Sequence, residues 1–220
     1  MKLFCVIPAF NEAKTIVEVI KSVKPFADRV IIVDDGSADK TFELAKAQGV
    51  VALRHAINRG QGAALETGNR YALKKGAELI VHFDADGQFL AGEIKELTEL
   101  IKSGRADIVF GSRFLGRESN MPAFKKLVIM PLARLMNRIL FGADLSDPQC
   151  GFRAMNAKAA REIRITSDGM AHCSEIIGKA FRSGLKIKEA PITVVYREFG
   201  QNMSGGIRIL KDLIYSKFIG

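Results

Sequence analysis

The sequence contains no uninterrupted apolar stretch of about 18 residues, the length that a helix needs to cross a bilayer. Its most apolar segment, 127–140, is interrupted by Pro131, Arg134 and Arg138. The short apolar run at the N-terminus stops at Pro8 and lacks the small-residue cleavage site of a signal peptide. We therefore expect neither a transmembrane helix nor a secretory signal, and a cytoplasmic protein.

Cysteine is scarce, and no two cysteines form a Cys-x-x-Cys pair. The three are far apart in sequence: Cys5, Cys150 and Cys173. A disulfide framework or a zinc site is therefore not expected, which also fits a reducing cytoplasm. His172 and Cys173 are residue types found in nucleophilic sites, but side chains adjacent in sequence diverge, so we expect no catalytic pair there.

Acidic residues are fewer than basic ones. The 220 residues include 33 Lys and Arg against 24 Asp and Glu, a formal net charge of +9. The surface should therefore favour anionic partners such as nucleic acid, phosphorylated metabolites or an anionic membrane. Hydrophobic residues make up 48% of the chain and charged residues 26%, which is typical of a soluble globular protein. The length suits one domain over residues 1–220.

The first half of the chain alternates two periodicities. Short β-branched runs predict buried strands over 4–7, 30–33, 50–53, 79–83 and 108–110. Apolar residues at helical spacing predict helices between them, around 16–23, 42–45, 60–75 and 94–101. This alternation predicts an α/β fold, with a mostly parallel sheet and helices on both faces.

After Gly111 the alternation ends. We expect loops at 112–120 and 146–151, a helix at 174–182, a strand at 185–195, and basic apolar helices at 121–141 and 206–219. The two basic apolar segments are typical of helices that lie in a membrane interface. They are equally compatible with packing on the sheet or, for 121–141, against a second copy of the chain.

Acidic side chains follow two of the predicted strands. Asp34 and Asp35 come after the second strand, and Asp84 and Asp86 come after the fourth. Because ligands of open α/β sheets bind beyond the carboxyl ends of the strands, these carboxylates should share one edge of the sheet. Like charges this close repel unless a cation or a hydrogen-bonding ligand offsets them. Ordinary turn and N-cap chemistry is the alternative explanation.

The spacing of Asp84 and Asp86 directs both side chains the same way in an extended segment. Mg²⁺ and Mn²⁺ prefer oxygen ligands and commonly take one or two carboxylates together with substrate phosphate oxygens. A nucleotide diphosphate is therefore the expected partner. The segment 58–62 adds a weak phosphate signal, glycine N–H groups and Arg59 at the start of a helix, but no Gly-Lys-Ser or Gly-Lys-Thr loop is present.

Seven short motifs occur in order along nearly the whole chain. They are Ile-Pro-Ala-Phe-Asn-Glu at 7–12, Val-Asp-Asp-Gly-Ser at 33–37, Asn-Arg-Gly-Gln-Gly-Ala-Ala at 58–64, Asp-Ala-Asp-Gly-Gln at 84–88, Gly-Ser-Arg-Phe at 111–114, Asp-Pro-Gln-Cys-Gly-Phe-Arg at 147–153 and Glu-Ala-Pro-Ile at 189–192. Together they resemble the family 2 glycosyltransferases of GT-A fold. The resemblance is strongest to the polyprenyl-phosphate sugar transferases, the group that includes dolichol-phosphate mannose synthase. It implies a nucleotide-binding half at about 1–111 and an acceptor-side half at about 112–220.

The resemblance also implies roles for single residues. The nucleotide-sugar donor would be bound by Pro8, Phe10, Glu12, Asp35, Asp84, Ala85, Asp86 and Gln88. Within this set Asp35 would hydrogen-bond the base, and the metal, Mg²⁺ or Mn²⁺, would be held by Asp84, Asp86 and Gln88. The acceptor phosphate would be bound by Arg113, Arg197 and Ser204. The catalytic residues would be Asp86, Arg113 and Arg197.

The expected reaction is a metal-dependent, inverting transfer of a sugar from a UDP- or GDP-sugar to a polyprenyl phosphate, at the inner face of the cytoplasmic membrane. A phosphate acceptor is already anionic and needs no general base. A sugar hydroxyl in cell-envelope polysaccharide synthesis is the alternative acceptor. It would need a base, for which Asp147 is the candidate.

Three other classes compete with this interpretation. A haloacid-dehalogenase-like phosphatase would use Asp84 as nucleophile, but that motif belongs on the opening strand and has Thr or Val where Gln88 stands. A sugar nucleotidyltransferase would open with Gly-x-Gly-x-Arg, which is absent from 7–14. A non-catalytic nucleic-acid or membrane module fits the positive charge but leaves the acidic edge unexplained, so we expect no nucleic-acid partner.

Overall fold

The computed structural model describes residues 1–116 and 144–195, together with the single positions 131, 135 and 138. Seven strands of this part form one sheet in the order β3-β2-β1-β4-β6-β5-β7. Their bounds are β1 (Leu3–Ala9), β2 (Arg29–Asp34), β3 (Val51–Arg54), β4 (Leu79–His82), β5 (Ile108–Ser112), β6 (Arg153–Asn156) and β7 (Ile187–Pro191).

The sheet is mostly parallel. Strand β1 pairs in parallel with β2 and β4, β2 with β3, and β5 with β7. Strand β6 is antiparallel to both of its neighbours, β4 and β5, so the other strands all run in one direction. The predicted fold class is thus confirmed, and the carboxyl ends of the parallel strands meet at one edge.

Helices cover both faces of the sheet. Their bounds are α1 (Ile16–Val23), α2 (Thr41–Ala47), α3 (Gln61–Lys74), α4 (Ile94–Lys102), α5 (Ala157–Glu162) and α6 (His172–Arg182), with short 3₁₀ turns at Lys24–Phe26 and Ala91–Glu93. Side chains of α1, α2 and α4 pack in one hydrophobic core, and those of α3, α5 and α6 pack in the other.

The central position of strand β1 in the sheet explains why its sequence is apolar throughout. Its alternate residues Leu3, Cys5 and Ile7 belong to one core, whereas Phe4 and Val6 belong to the other. Every residue of the strand is buried. A central parallel strand covered on both faces needs apolar side chains on both, so it lacks the alternation of a half-exposed strand.

Two elements were not predicted, and two others differ from their predicted bounds. Strand β6 and helix α5 have no counterpart among the expected elements. The strand expected over 185–195 is shorter, at Ile187–Pro191, and is followed by a single bridge between Val194 and Phe89. Helix α6 begins two residues before the expected start at 174.

The basic apolar segments fall almost entirely outside the described residues. Within 121–141 only Pro131, Leu135 and Arg138 are described, and these three are helical and exposed. The segment 206–219 is not described at all. Among the helices that are described, none combines the length and the apolar character needed to cross a membrane.

Candidate active site

A cavity of about 610 Å³ opens where β1, β2 and β4 end. Nine of the residues predicted for the site line it together: Pro8, Phe10, Glu12, Asp35, Asp84, Ala85, Asp86, Gln88 and Arg113. The cavity also has a wall of residues that were not among the predicted site residues. They come from the 147–153 motif and from the segment around the start of α6: Gln149, Cys150, Gly151, Gly169, Met170 and Cys173. Arg197 and Ser204 lie outside the described residues.

Asp84 is held tightly at the inner side of the cavity. Its Oδ1 accepts a hydrogen bond from Nε2 of Gln61 at 3.0 Å. The backbone of Gly151 lies so close that a Cβ there would be 2.6 Å from Oδ2. Burial raises the pKa of Asp84 to about 7, the negative charge of Asp86 adds to the shift, and Arg153 opposes it.

Asp86 follows Asp84 in a turn that also includes Gly87, whose φ of 72° favours glycine. Its Oδ1 accepts a hydrogen bond from the Gln88 backbone N–H at 3.0 Å. Both carboxylates line the same cavity, and the charge of Asp86 contributes to the raised pKa of Asp84. The charge of Asp86 also raises the pKa of Glu12, in addition to the larger effect of burial.

The two aspartates fit a divalent cation that shares its coordination with a ligand. Within residues 1–116 and 144–195, no group of three or more His, Cys, Asp and Glu side chains is arranged to hold a metal ion. Asp84 and Asp86 nevertheless supply carboxylate oxygens to one cavity, and Mg²⁺ commonly needs only one or two carboxylates when phosphate oxygens and water complete its shell.

Asp35 anchors the loop that precedes α3. Its Oδ1 is 2.6 Å from Nδ1 of His55 and accepts the Arg59 backbone N–H at 3.0 Å. Its Oδ2 accepts the Gly60 backbone N–H at 2.6 Å. His55 also contacts Oγ1 of Thr67 through Nε2, at 2.9 Å. Asp35 therefore shapes one side of the cavity, a role separate from the base recognition expected from the resemblance.

The start of α3 is occupied by the chain itself. The backbone carbonyl of Asp168 accepts the N–H groups of Gly62 at 2.8 Å and Ala63 at 3.3 Å. Arg59 pairs with the Asp168 carboxylate at 3.2 Å. The expectation that the segment 58–62 offers its N–H groups and a cation to phosphate is therefore wrong for the Gly62 N–H, and Arg59 is already paired.

Arg113 is fixed by Asp147. Its Nε and Nη2 donate to the two carboxylate oxygens of Asp147 at 2.6 and 2.7 Å, and its backbone N–H adds a bond at 3.1 Å. Asp147 is fully buried and does not line the cavity, whereas Arg113 does. This arrangement suits the orientation of an arginine by a carboxylate. It does not suit the general-base role that the sequence left open for Asp147.

A buried polar cluster lies behind Asp84. The Arg153 guanidinium donates to the backbone carbonyls of Gly151 at 3.2 Å and Cys150 at 3.1 Å, and to the Cys173 sulfur at 3.5 Å. The same sulfur is 3.4 Å from Nε2 of His172. The expectation that the side chains of His172 and Cys173 diverge is therefore wrong. Arg153 ends the 147–153 motif, but that motif gave no indication of its contact with Cys173, because the two residues belong to separate segments of the chain.

The chain is similar in sequence to known proteins. The sequence model of glycosyl transferase family 2 matches residues 4–164. The UDP-N-acetylglucosamine–dolichyl-phosphate N-acetylglucosaminyltransferase of Methanococcus voltae is 31% identical over 241 residues, covering 98% of this chain and 96% of the relative. The undecaprenyl-phosphate mannosyltransferase of Micrococcus luteus is 33% identical over 221 residues, covering 94% of this chain and 89% of the relative.

The fold is also similar to solved structures. Glucosyl-3-phosphoglycerate synthase from Mycobacterium tuberculosis in complex with UDP aligns with a TM-score of 0.76 at 21% identity, covering 100% of this chain and 81% of that one. Other structures of that synthase contain UDP with Mn²⁺ or Mg²⁺. At this level of identity the likeness establishes the fold.

Proposed function

The chain belongs to glycosyl transferase family 2, and on that premise we propose that it transfers a sugar from a nucleotide-diphosphate sugar to a polyprenyl phosphate. The observation that carries the proposal is that Asp84, Asp86 and the fixed Arg113 line one and the same cavity. The names of the relatives from Methanococcus voltae and Micrococcus luteus, which specify dolichyl and undecaprenyl phosphates, support this acceptor class.

The donor would lie across the ends of β1, β2 and β4. Pro8, Phe10 and Glu12 would line the nucleotide side, with Asp35 near the base. Asp84 and Asp86, with Gln88, would hold Mg²⁺ or Mn²⁺ against the diphosphate. When bound, such a cation neutralises charge that develops on the leaving diphosphate. The presence of Mn²⁺ or Mg²⁺ beside UDP in the Mycobacterium tuberculosis synthase supports this assignment.

Arg113 would contact phosphate oxygens from the other side of the cavity. Its side chain is only 8% exposed, and its two bonds to Asp147 restrict its rotamers. A cation that is already oriented stabilises developing negative charge without reorganising during the reaction. We propose the same kind of contact for Arg197 and Ser204, which are outside the described residues.

The acceptor is better explained as a phosphate than as a sugar hydroxyl. A phosphate monoester is anionic near neutral pH and attacks the anomeric carbon without losing a proton to the enzyme, giving inversion in a single displacement. A hydroxyl acceptor needs a general base at the cavity. Asp147, the candidate from the sequence, is buried and bonded to Arg113 through both oxygens.

The rim of the cavity suits an acceptor with an apolar tail. Six large hydrophobic residues are exposed and lie within two positions of a cavity-lining residue: Phe10, Ile57, Leu90, Leu115, Met170 and Val195. A polyprenyl chain and the surface of a bilayer would both cover such side chains. Together with the +9 charge, this supports peripheral binding at the inner, anionic face of the cytoplasmic membrane.

The direct test is a transfer assay with labelled UDP- and GDP-sugars. Undecaprenyl phosphate is offered in parallel with undecaprenol, which has the same tail and no phosphate, with Mn²⁺, Mg²⁺ or EDTA. We expect labelled lipid only with the phosphate acceptor and a metal. Asp84→Asn and Asp86→Asn should abolish it, whereas Glu99→Gln, at a carboxylate 65% exposed on α4, should not. Full activity in EDTA would end the account.

A further inference from the structure

One reactive group in the cavity has no part in the proposed transfer. Cys173 lies in the first turn of α6. It lines the cavity, although only 5% of the residue is exposed. Its sulfur is 3.4 Å from Nε2 of His172 and 3.5 Å from Nη2 of Arg153. A thiol, an imidazole and a guanidinium are thus assembled at the inner end of a space that opens to solvent.

The two partners of the sulfur are themselves buried. His172 is 0% exposed and Arg153 is 1% exposed. Nη1 of Arg153 has no hydrogen-bond partner in the described part of the chain, so the guanidinium keeps unsatisfied donor capacity beside the sulfur. Nδ1 of His172 is bonded to the Gly169 carbonyl at 2.8 Å, which directs the other ring nitrogen to the thiol. This geometry stabilises a thiolate.

The acidity of the thiol agrees with the geometry. Burial alone would raise the pKa of Cys173, but the charges of His172 and Arg153 outweigh it and lower the pKa to about 6. The pKa of His172 is raised in turn, mainly because the negative sulfur more than offsets the effect of its burial. The negative sulfur also contributes to the raised pKa of Asp84, which lines the same cavity.

We propose that Cys173 is a modification site, where a hydroperoxide that enters the cavity oxidises the thiolate and thereby blocks binding of the donor. The blocking part rests on the proposed function. The thiolate sulfur attacks one peroxide oxygen, so an S–O bond forms and the O–O bond breaks. Sulfur is oxidised by two electrons to a sulfenic acid. The other peroxide oxygen takes the electron pair of the broken O–O bond, leaves as hydroxide or alkoxide, and an alkoxide is then protonated by water.

The other two cysteines serve as internal controls. Cys5 is fully buried in β1 and does not line the cavity, and burial raises its pKa far above the usual range. Cys150 does line the cavity, but burial strongly raises its pKa as well. Its sulfur donates to the Phe152 carbonyl at 3.7 Å. Both Cys150 and Cys173 line the cavity, and the charge of Arg153 acts on both thiols, but direct contacts of the sulfur with Arg153 and His172 are made by Cys173.

Modification should obstruct the cavity because the sulfur has little other room. His172 and Arg153 lie on two of its sides, and Cys173 and Asp84 line the same cavity, so we expect an added group to extend into that cavity. Asp84 cannot move away freely, since Gly151 and Gln61 hold it. Even a group as small as the thiomethyl that methyl methanethiosulfonate adds to a cysteine would compete with a nucleotide diphosphate for the volume of the cavity.

The test measures labelling of each cysteine in the full chain at pH 7 by peptide mass spectrometry. Hydrogen peroxide with dimedone traps the sulfenic acid, and methyl methanethiosulfonate reports thiolate reactivity independently. We expect Cys173 to be modified at least about tenfold faster than Cys150 or Cys5, and UDP or GDP with Mn²⁺ to slow it. Peroxide should lower nucleotide binding by the wild type and not by Cys173→Ser.

Two results would overturn the proposal: equal modification of Cys150 and Cys173, or no modification of Cys173 in the native chain when urea-unfolded chain reacts. These measurements on the wild type remain decisive even if Cys173→Ser folds poorly. Rapid, selective labelling of Cys173 in a chain that transfers no sugar from any donor would count against the proposed function and leave the reactive thiol in place.

Discussion

The backbone of Gly151 is packed so closely against the carboxylate of Asp84 that there is no room for any side chain at position 151. A Cβ would be 2.6 Å from Oδ2 of Asp84. Gly151→Ala should therefore displace Asp84 and lower metal-dependent transfer, by about 100-fold if the shift approaches 1 Å. Gly92→Ala is the matched control, because no atom lies within 4 Å of its added Cβ. Wild-type Mn²⁺ affinity in Gly151→Ala, measured by electron paramagnetic resonance, would contradict this.

Arg113 and Asp147 should act as one unit. We expect Arg113→Lys and Asp147→Asn each to lower kcat, because either change removes the two-bond contact that orients the guanidinium. The double variant should be little worse than the poorer single one, with a coupling free energy of about 0.5–3 kcal/mol. Additive losses would instead mean that Asp147 contributes by itself. Circular dichroism must first show that each variant is folded, since breaking a buried pair also destabilises.

Single site residues were predictable where the signal was local. Asp84 and Asp86 follow a buried strand at a spacing of two, so their place at the edge of the sheet could be inferred. Gly151 and Cys173 could not be placed, because their distance to Asp84 depends on how the second half returns to the sheet. The contact of Asp147 with Arg113 could not be predicted either, since an Asp before a proline is equally typical of a turn.

At the scale of elements, Glu175 ties helix α6 to the loop that precedes it. Burial alone would raise the pKa of Glu175, but hydrogen bonds from Lys179, Thr166 and Ser167 outweigh it and lower the pKa to about 2. A carboxyl whose pKa is lower in the folded than in the unfolded chain stabilises the fold at high pH. This stabilisation is complete above about pH 5 and is lost as the pH falls toward 2.

Glu175→Gln should thus lower the free energy of unfolding by about 1–3 kcal/mol at pH 7, the usual contribution of hydrogen bonds to a charged group. The deficit relative to the wild type should shrink as the pH falls from 5 to 3. Urea unfolding at pH 7, 5, 4 and 3 measures it, with Glu99→Gln as the exposed control. A deficit that stays constant with pH would refute the role of the ionised carboxylate.

The elements predicted correctly are those whose pattern is strong. Helix α1 has a buried stripe at Ile16, Val19, Ile20 and Val23, and its expected bounds were met. Strand β6 was missed because Arg-Ala-Met-Asn has no β-branched residue and its arginine is buried. Its antiparallel insertion between β4 and β5 depends on tertiary contacts that no local pattern reports.

At the scale of the whole molecule, the excess positive charge and the apolar rim predict binding to anionic membranes. We expect the chain to sediment with vesicles that contain phosphatidylglycerol at low salt and much less with phosphatidylcholine alone. Raising the salt to about 1 M should weaken binding, because the Debye length falls to about 3 Å. Absence of binding to anionic vesicles at low salt would contradict the proposed membrane binding.

The proposed transfer depends on Asp84 and Asp86 holding a divalent cation that binds the diphosphate of the donor. Isothermal titration of UDP and GDP into the chain, with and without Mn²⁺, measures this binding without depending on the acceptor. We predict that one of the nucleotides binds in a metal-dependent manner, and that Asp84→Asn or Asp86→Asn weakens it by more than about tenfold, or 1.4 kcal/mol. Equal affinity in EDTA, or unchanged affinity in both variants, would contradict the account.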